Sequence, residues 1–199
     1  MYTVIGHPKS RTARVIRMLE ELGQPYDLKP ATPQSDDVFK LNSTGKIPVF
    51  MDGDLVVTDS VAIITYLADK HGQFTHKAGT PARAKQDAIT QYIVSEVDAA
   101  LWLAAKHRFA LPKEHRIPEI KETARFEFSN AMDHLTAVLG DAPFLTGDQL
   151  TLPDIVLSHC AGWAMTAGFD LPKGDFGAYL KRLRKMPAME RTMAVIAQH

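Results

Sequence analysis

Three short clusters in this 199-residue chain carry side chains suited to chemistry. Ser10, Arg11 and Thr12 stand where a short β-rich run gives way to an amphipathic stretch. A hydroxyl at a helix N-terminus can donate to a bound anion, a thiolate included, and the helix dipole acts in the same sense. Lowering a thiol pKa by ~2 units asks for ~3 kcal/mol. One charge-assisted hydrogen bond and a helix terminus supply about that much. The plainer alternative is that Ser10 or Thr12 caps the helix and does no chemistry. Thr58, Asp59 and Ser60 open a second amphipathic stretch. The Ser60 hydroxyl and N–H suit a carboxylate, the Asp59 carboxylate suits an ammonium, and the same residues are good N-caps. Between these clusters, Asn42-Ser43-Thr44-Gly45-Lys46-Ile47-Pro48-Val49 brings a lysine and a proline to the opening of a strand. Taken alone, that is an edge strand that starts at a proline and carries a surface lysine.

Other chemistries find less support. The single cysteine, Cys160, cannot form an intrachain disulfide, a Cys-x-x-Cys pair or a four-thiolate zinc site, and its apolar neighbours make it inert packing. The eight histidines do not fall at zinc-ligand spacings, so no metal site is expected. Gly6-His7-Pro8 is not a phosphate loop. Lys plus Arg and Asp plus Glu both number 23, so the basic surplus of a chain that coats nucleic acid is missing. Apolar residues make up 45%, which is ordinary globular usage. No apolar run approaches the ~18 residues of a membrane span, and the first residues do not read as a signal peptide. A cytoplasmic protein is the simplest expectation.

The elements that must position these residues follow from periodicity. Tyr2–Gly6 reads as a strand ended by Pro8. Val15, Ile16, Leu19 and Leu22 form a helical stripe, with Arg14, Arg17, Glu20 and Glu21 on the other face and Gly23 at the C′ position. Tyr26–Leu28 is a second strand. The polar stretch 31–44 is a loop or a short irregular helix. Ile47–Met51 and Leu55–Val57, around Asp52-Gly53, form a hairpin. Val61, Ile64, Leu67, Ala68 and His71 make a second stripe closed by Gly72. The order β-α-β, connection, β-β-α is thioredoxin-like. Beyond a linker, helices are expected over 82–107, 114–139, 152–167, 175–183 and 187–197. The 152–167 helix is apolar nearly all round and should be the buried central one.

With these motifs placed, the whole chain resembles the cytosolic glutathione transferases. A thioredoxin would carry Cys-x-x-Cys at the first helix entrance, where Lys9-Ser10-Arg11-Thr12 stands. Ser10-Arg11-Thr12-Ala13-Arg14-Val15, a serine four residues before an Arg-Val pair, is similar to the theta, delta, phi and related bacterial serine types. The 42–49 segment is similar to the family's Asn-Pro-x-Gly-x-Val/Ile-Pro, with Ser43 in place of the first proline. Thr58-Asp59-Ser60 matches its Glu-Ser or Asp-Ser. Leu150-Thr151-Leu152-Pro153-Asp154-Ile155, preceded by Gly147, matches its capping box and hydrophobic staple, a folding element.

The resemblance implies an α+β thioredoxin-like N-terminal domain (βαβ-ββα, mixed four-stranded sheet) over 1–74. A linker at about 75–82 and an all-α helical-bundle C-terminal domain over 83–199 would follow. It implies a transferase of detoxification type that activates the glutathione thiol for attack on a small apolar electrophile, with glutathione as co-substrate and no other cofactor. The thiolate group would be Ser10, with Arg11 and Thr12 as alternates. Pro48 would be cis, with the Ile47 backbone pairing the cysteinyl backbone as in strand addition. Lys46, or Lys40, would meet the glycyl carboxylate. Ser60 and Asp59 would hold the γ-glutamyl carboxylate and ammonium. Glu96 or Asp98 could also reach that ammonium, or be solvated. Trp102, Phe109 and Trp163 are the candidates for an electrophile pocket, Trp163 being better suited to the core. A homodimer is implied, with no nucleic acid or membrane partner. Two rivals stay open. One is other glutathione-dependent chemistry: a disulfide-bond reductase, peroxidase, dehalogenase or isomerase. The other is a non-catalytic binding module with this fold, although Ser10, Pro48, Asp59 and Ser60 together favour a working site.

Overall fold

The computed structural model describes residues 1–199, which fall into two compact units. The first unit is Met1–Thr75 with Arg184–His199; the second is His76–Leu183.

The first unit is built on a four-stranded mixed sheet in the order β2-β1-β3-β4. Its strands are β1 (Tyr2–Ile5), β2 (Tyr26–Lys29), β3 (Val49–Asp52) and β4 (Leu55–Thr58). β1 and β2 run parallel, joined through α1 (Thr12–Leu22). β1 pairs antiparallel with β3, and β3 with β4. Alternation along the strands sends neighbouring side chains to opposite faces. Val4, Phe50 and the Tyr2 ring serve one face, with Tyr2 and Phe50 ring centroids 5.2 Å apart. The buried stripes of α1 (Val15, Ile16, Leu19) and of α3 (Ser60–His71; Ile63, Ile64, Leu67) complete the main core. Ile5 and Val49 point the other way. They form a smaller core with Val38, against which Ala31, Leu41, Ile47 and Met51 pack. Val38 comes from α2 (Asp36–Phe39), a single helical turn within the expected irregular stretch. Gly23 ends α1 at φ 63°, a left-handed conformation that glycine adopts without a Cβ penalty.

The second unit is helical. α4 (Pro81–Tyr92) continues through a π-helical turn, Ile93–Asp98, into α5 (Ala99–Ala105) and a second π turn, Lys106–Ala110. A short 3-10 turn at Lys113–His115 precedes α6 (Ile120–Leu139). The helix expected over 114–139 therefore begins later. Pro118 disfavours helical geometry at Ile117, and Pro118 itself has no N–H to give. α7 (Leu152–Ala167) has the expected bounds, and Leu152–Ser158 is buried throughout. Its second half differs from the expectation of burial all round. His159, Gly162 and Trp163 are half-buried, and Met165 and Thr166 are exposed. α8 (Gly174–Arg184) follows. α9 (Pro187–Ala197) packs on α1, and so lies with the first unit. No helix is long and apolar enough to cross a membrane.

Candidate functional site

The sheet register builds the site. Ile5 lies opposite Val49, and Val49 lies opposite Thr58. The chain therefore leaves β1, enters β3 and leaves β4 at one end of the sheet. The three segments next to these residues are Gly6–Thr12, Ile47–Pro48 and Asp59–Ser60, the clusters singled out from sequence. Two helices, α1 and α3, begin at the same end and turn their positive dipole ends toward it.

Gly6 is the hinge of the arrangement. Its φ is +148°, and a Cβ there would stand 2.4 Å from Thr12 Oγ1 and 3.1 Å from Ile47 Cβ. Only glycine lets β1 turn away while Thr12 and the Ile47–Pro48 segment close in around it. Thr12 is fully buried, and Ser10 and Arg11 are half-buried. Ser10 Oγ donates to the His7 carbonyl at 2.7 Å and accepts from the Thr12 N–H at 3.2 Å. It also lies 2.9 Å from Thr12 Oγ1. With the Ser10 proton given to His7, the Thr12 hydroxyl is the donor of that last bond. Ser10 thus sits as a helix-entry cap whose own proton can be redirected by rotation about one bond.

The Ile47–Pro48 peptide is cis, as the resemblance implied. The Ile47 side chain packs on the small core of Ile5, Val38 and Val49. Its backbone N–H and C=O make no hydrogen bond within the chain. Such a pair next to a strand can accept one residue of an added extended peptide. The loop before it is pinned by Asn42, whose Nδ2 donates to the Lys46 carbonyl at 2.8 Å while Oδ1 accepts from the Thr44 N–H and hydroxyl. The Lys46 ammonium is exposed and has no salt bridge. The alternate, Lys40, is bound to Asp37 at 2.7 Å on the surface of α2, and holds that carboxyl below its ordinary pKa. Of the two lysines, Lys46 is the one unengaged.

Asp59 caps α3, as the plainer alternative expected. Its Oδ1 accepts from the Val61 and Ala62 N–H groups at 2.8 and 3.1 Å. Its backbone is unusual, with φ 71° and ψ 124°. Sparsely populated geometry at a non-glycine residue cost-weighs about 1–3 kcal/mol and tends to collect at ligand sites. Ser60 is buried, and its Oγ accepts from Arg14 Nη1 at 3.2 Å. Arg14 itself is buried, contrary to the expectation that it lies on a polar outer face.

The remaining candidates lie in the second unit. Glu96 is exposed on the first π turn. Asp98, on the same turn, is buried and accepts from Cys160 Sγ of α7 at 3.9 Å, so it is not part of a solvated face. Trp102 on α5 is half-buried, and Phe109 in the second π turn is 63% exposed. Trp163 is half-buried beside His159, with ring centroids 6.3 Å apart, rather than in the core. A Cβ on neighbouring Gly162 would meet nothing within 4 Å. No group of three His, Cys, Asp or Glu side chains is placed to hold a metal ion.

A family model described as "Glutathione S-transferase, N-terminal domain" matches residues 5–75, and one described as "Glutathione S-transferase, C-terminal domain" matches 114–185. Human glutathione S-transferase theta-2B is 30% identical over 159 residues, covering 74% of this chain and 63% of its own length. Bovine glutathione S-transferase theta-1 is 32% identical, with 74% and 64% covered. This chain thus spans under two thirds of the length of these relatives. Among solved structures, a glutathione transferase from Methylococcus capsulatus superposes with a TM-score of 0.86 at 22% identity, each chain covered in full. One from Phanerochaete chrysosporium, solved with oxidized glutathione, gives 0.85 at 21% identity, with 99% and 95% covered. At such identities the likeness is one of fold.

Proposed function

The chain belongs to the glutathione S-transferase family, and from that premise we propose that it binds glutathione and activates its thiol for attack on a small apolar electrophile. One observation carries the reading. A single sheet end gathers a hydroxyl at a helix entrance, an unpaired backbone pair at Ile47 and an anion-ready helix terminus at Ser60. These suit the thiol, the cysteinyl backbone and the γ-glutamyl carboxylate of one extended tripeptide. Lys46 supplies a cation for the glycyl carboxylate. Asp59 Oδ2, outside its capping bonds, suits the γ-glutamyl ammonium.

In this mechanism the bound thiol loses its proton to solvent, and Ser10 turns its O–H from the His7 carbonyl to the resulting thiolate. Thr12 keeps donating to Ser10 Oγ and so strengthens it as a donor. Arg11 is the alternate cation for the thiolate. A thiolate held in place then displaces or adds to the electrophile, gaining from proximity as well as from its lowered pKa. Trp102, Phe109 and Trp163 are the proposed apolar contacts of that electrophile. A homodimer and a cytoplasmic setting complete the reading, by family likeness.

A second reading is a glutathione-binding module without thiol activation. The Ser10 hydroxyl bond to the His7 carbonyl favours it, since that bond uses the only proton Ser10 has. The ultraviolet thiolate absorbance of bound glutathione decides between them, titrated from about pH 5 to about pH 10 in the wild type and in Ser10→Ala. A depressed thiol pKa that returns toward its solution value in the variant supports the transferase. Binding without depression leaves the module, or disulfide chemistry.

A further inference from the structure

We propose that Arg14 is the positioning residue of the γ-glutamyl subsite: it fixes the Ser60 hydroxyl as a donor toward the ligand carboxylate. The inference rests on the glutathione reading above and assigns a role to a residue that touches no ligand in it.

Four observations support it. Arg14 is 2% exposed, so its charge lies beneath the site rather than beside it in solvent. Its Nη1 donates to Ser60 Oγ at 3.2 Å, joining α1 to the first residue of α3. A guanidinium carries donors and no acceptor, so Ser60 cannot return its proton to Arg14. Ser60 Oγ makes no other hydrogen bond within the chain. The acceptor side of the hydroxyl is thereby filled, and its one proton is left for a ligand. A buried cation against the oxygen also polarises the O–H and makes it a stronger donor. Ser60 stands at the start of α3, where the N–H groups and the dipole already favour an anion. The contrast with Ser10 is instructive, because that serine gives its proton to a carbonyl of its own loop.

The test uses the full chain and two thiol peptides: glutathione, and γ-aminobutyryl-cysteinylglycine. The second keeps the ammonium, the thiol and the glycyl carboxylate but lacks the glutamyl carboxylate. Dissociation constants are measured for the wild type, Arg14→Met, Arg14→Lys, Ser60→Ala and the Arg14→Met/Ser60→Ala double variant, with melting curves for each. The wild type is expected to prefer glutathione. Arg14→Met should weaken glutathione binding about tenfold and the analogue less than about twofold. Arg14→Lys, which keeps charge and a donor, should recover part of the preference. In the Ser60→Ala background, Arg14→Met should cause no further loss of preference. Equal weakening of both peptides by Arg14→Met, or additive losses in the double variant, would overturn the proposal and leave Arg14 a structural cation. If Arg14→Met does not fold, unchanged preference in both Arg14→Lys and Ser60→Ala overturns it equally. A wild type that binds neither peptide overturns the glutathione reading itself and this role with it.

Discussion

The Ser10 hydroxyl has one proton, which it gives to the His7 carbonyl, and the proposed thiolate would compete for it. On that proposal Thr12 would set how strong a donor Ser10 can be, because its buried hydroxyl lies 2.9 Å from Ser10 Oγ. Thr12→Val keeps the shape and removes that donor. The expected result is a bound-thiol pKa raised by about 0.5–1 unit, less than Ser10→Ala causes, as befits one lost neutral hydrogen bond. An effect as large as that of Ser10→Ala would make Thr12 the group nearest sulfur. Asp59 offers a second separation, since it caps α3 and is also the proposed ammonium partner. Asp59→Asn retains a capping oxygen and tolerates positive φ, so unfolding free energy should move by under ~0.5 kcal/mol while glutathione affinity falls. Asp59→Ala should lose both, at about 1–2 kcal/mol of stability in denaturant melts. The types and spacing of Ser10, Pro48, Asp59 and Ser60 were readable from sequence because each sits at an element boundary, where residue choice is restricted. Arg14 and Arg17 were not. Periodicity sorts residues by polarity and sends arginine to solvent, whereas here Arg14 meets Ser60 and Arg17 meets Glu21 inside the unit.

Polar networks also hold elements away from the candidate site. Before α7, the buried Asp154 carboxylate accepts from the Leu145 N–H, the Thr151 N–H and hydroxyl, and Tyr179 O–H at 2.6 Å. The capping box was legible in Thr151-x-x-Asp154, but the Tyr179 donor, 25 residues on, was not. Asp154→Ala leaves these donors buried without an acceptor and should cost about 3–5 kcal/mol in urea unfolding. Tyr179→Phe should cost about 1 kcal/mol. In the first unit, Asp52 at the end of β3 accepts from Tyr66 at 2.7 Å and from Lys70, tying the hairpin to α3. The hydrogen bonds from Lys70 and Tyr66 hold its carboxyl below the ordinary carboxylate range. Such a group binds its proton more weakly folded than unfolded. Its stabilisation is therefore present above the unfolded value and is lost as pH falls through the folded one. Asp52→Asn should melt below the wild type at neutral pH, with the gap closing in acid; a gap that persists there would assign the effect to packing. The interruptions of the long helix were hidden for a different reason. The π turn at Ile93–Asp98 keeps helical φ and ψ at both flanks and the one at Lys106–Ala110 at its N-terminal flank, and neither contains a glycine or proline.

At the scale of the whole molecule, the linker expected at about 75–82 begins after α3, and the first unit's main span ends there, at Thr75. Helix α9 was read correctly as an element, yet an amphipathic stripe does not say which surface it covers. Its partner is α1, from the opposite end of the chain. Arg191 binds the Glu20 carboxylate at 2.7 Å and the Glu20 carbonyl at 2.7 Å. Arg17 reaches Met186 Sδ at 3.6 Å, and Ala188 and Thr192 are buried. Glu20 also accepts from the Tyr26 hydroxyl of β2, so one carboxylate links helix, sheet and C-terminal helix. The same α1 begins at Ser10–Thr12, and the geometry of its entrance depends on how firmly the rest of the helix is held. Deleting residues 186–199 should therefore do more than lower the melting temperature. It should raise amide exchange along α1 toward that of locally opened segments and weaken glutathione binding through its entrance. A truncated chain that melts earlier but keeps wild-type glutathione affinity and slow exchange at Ala13–Ile16 would separate the clamp from the site. In that case α1 would hold its entrance through Arg14, Gly6 and the sheet alone.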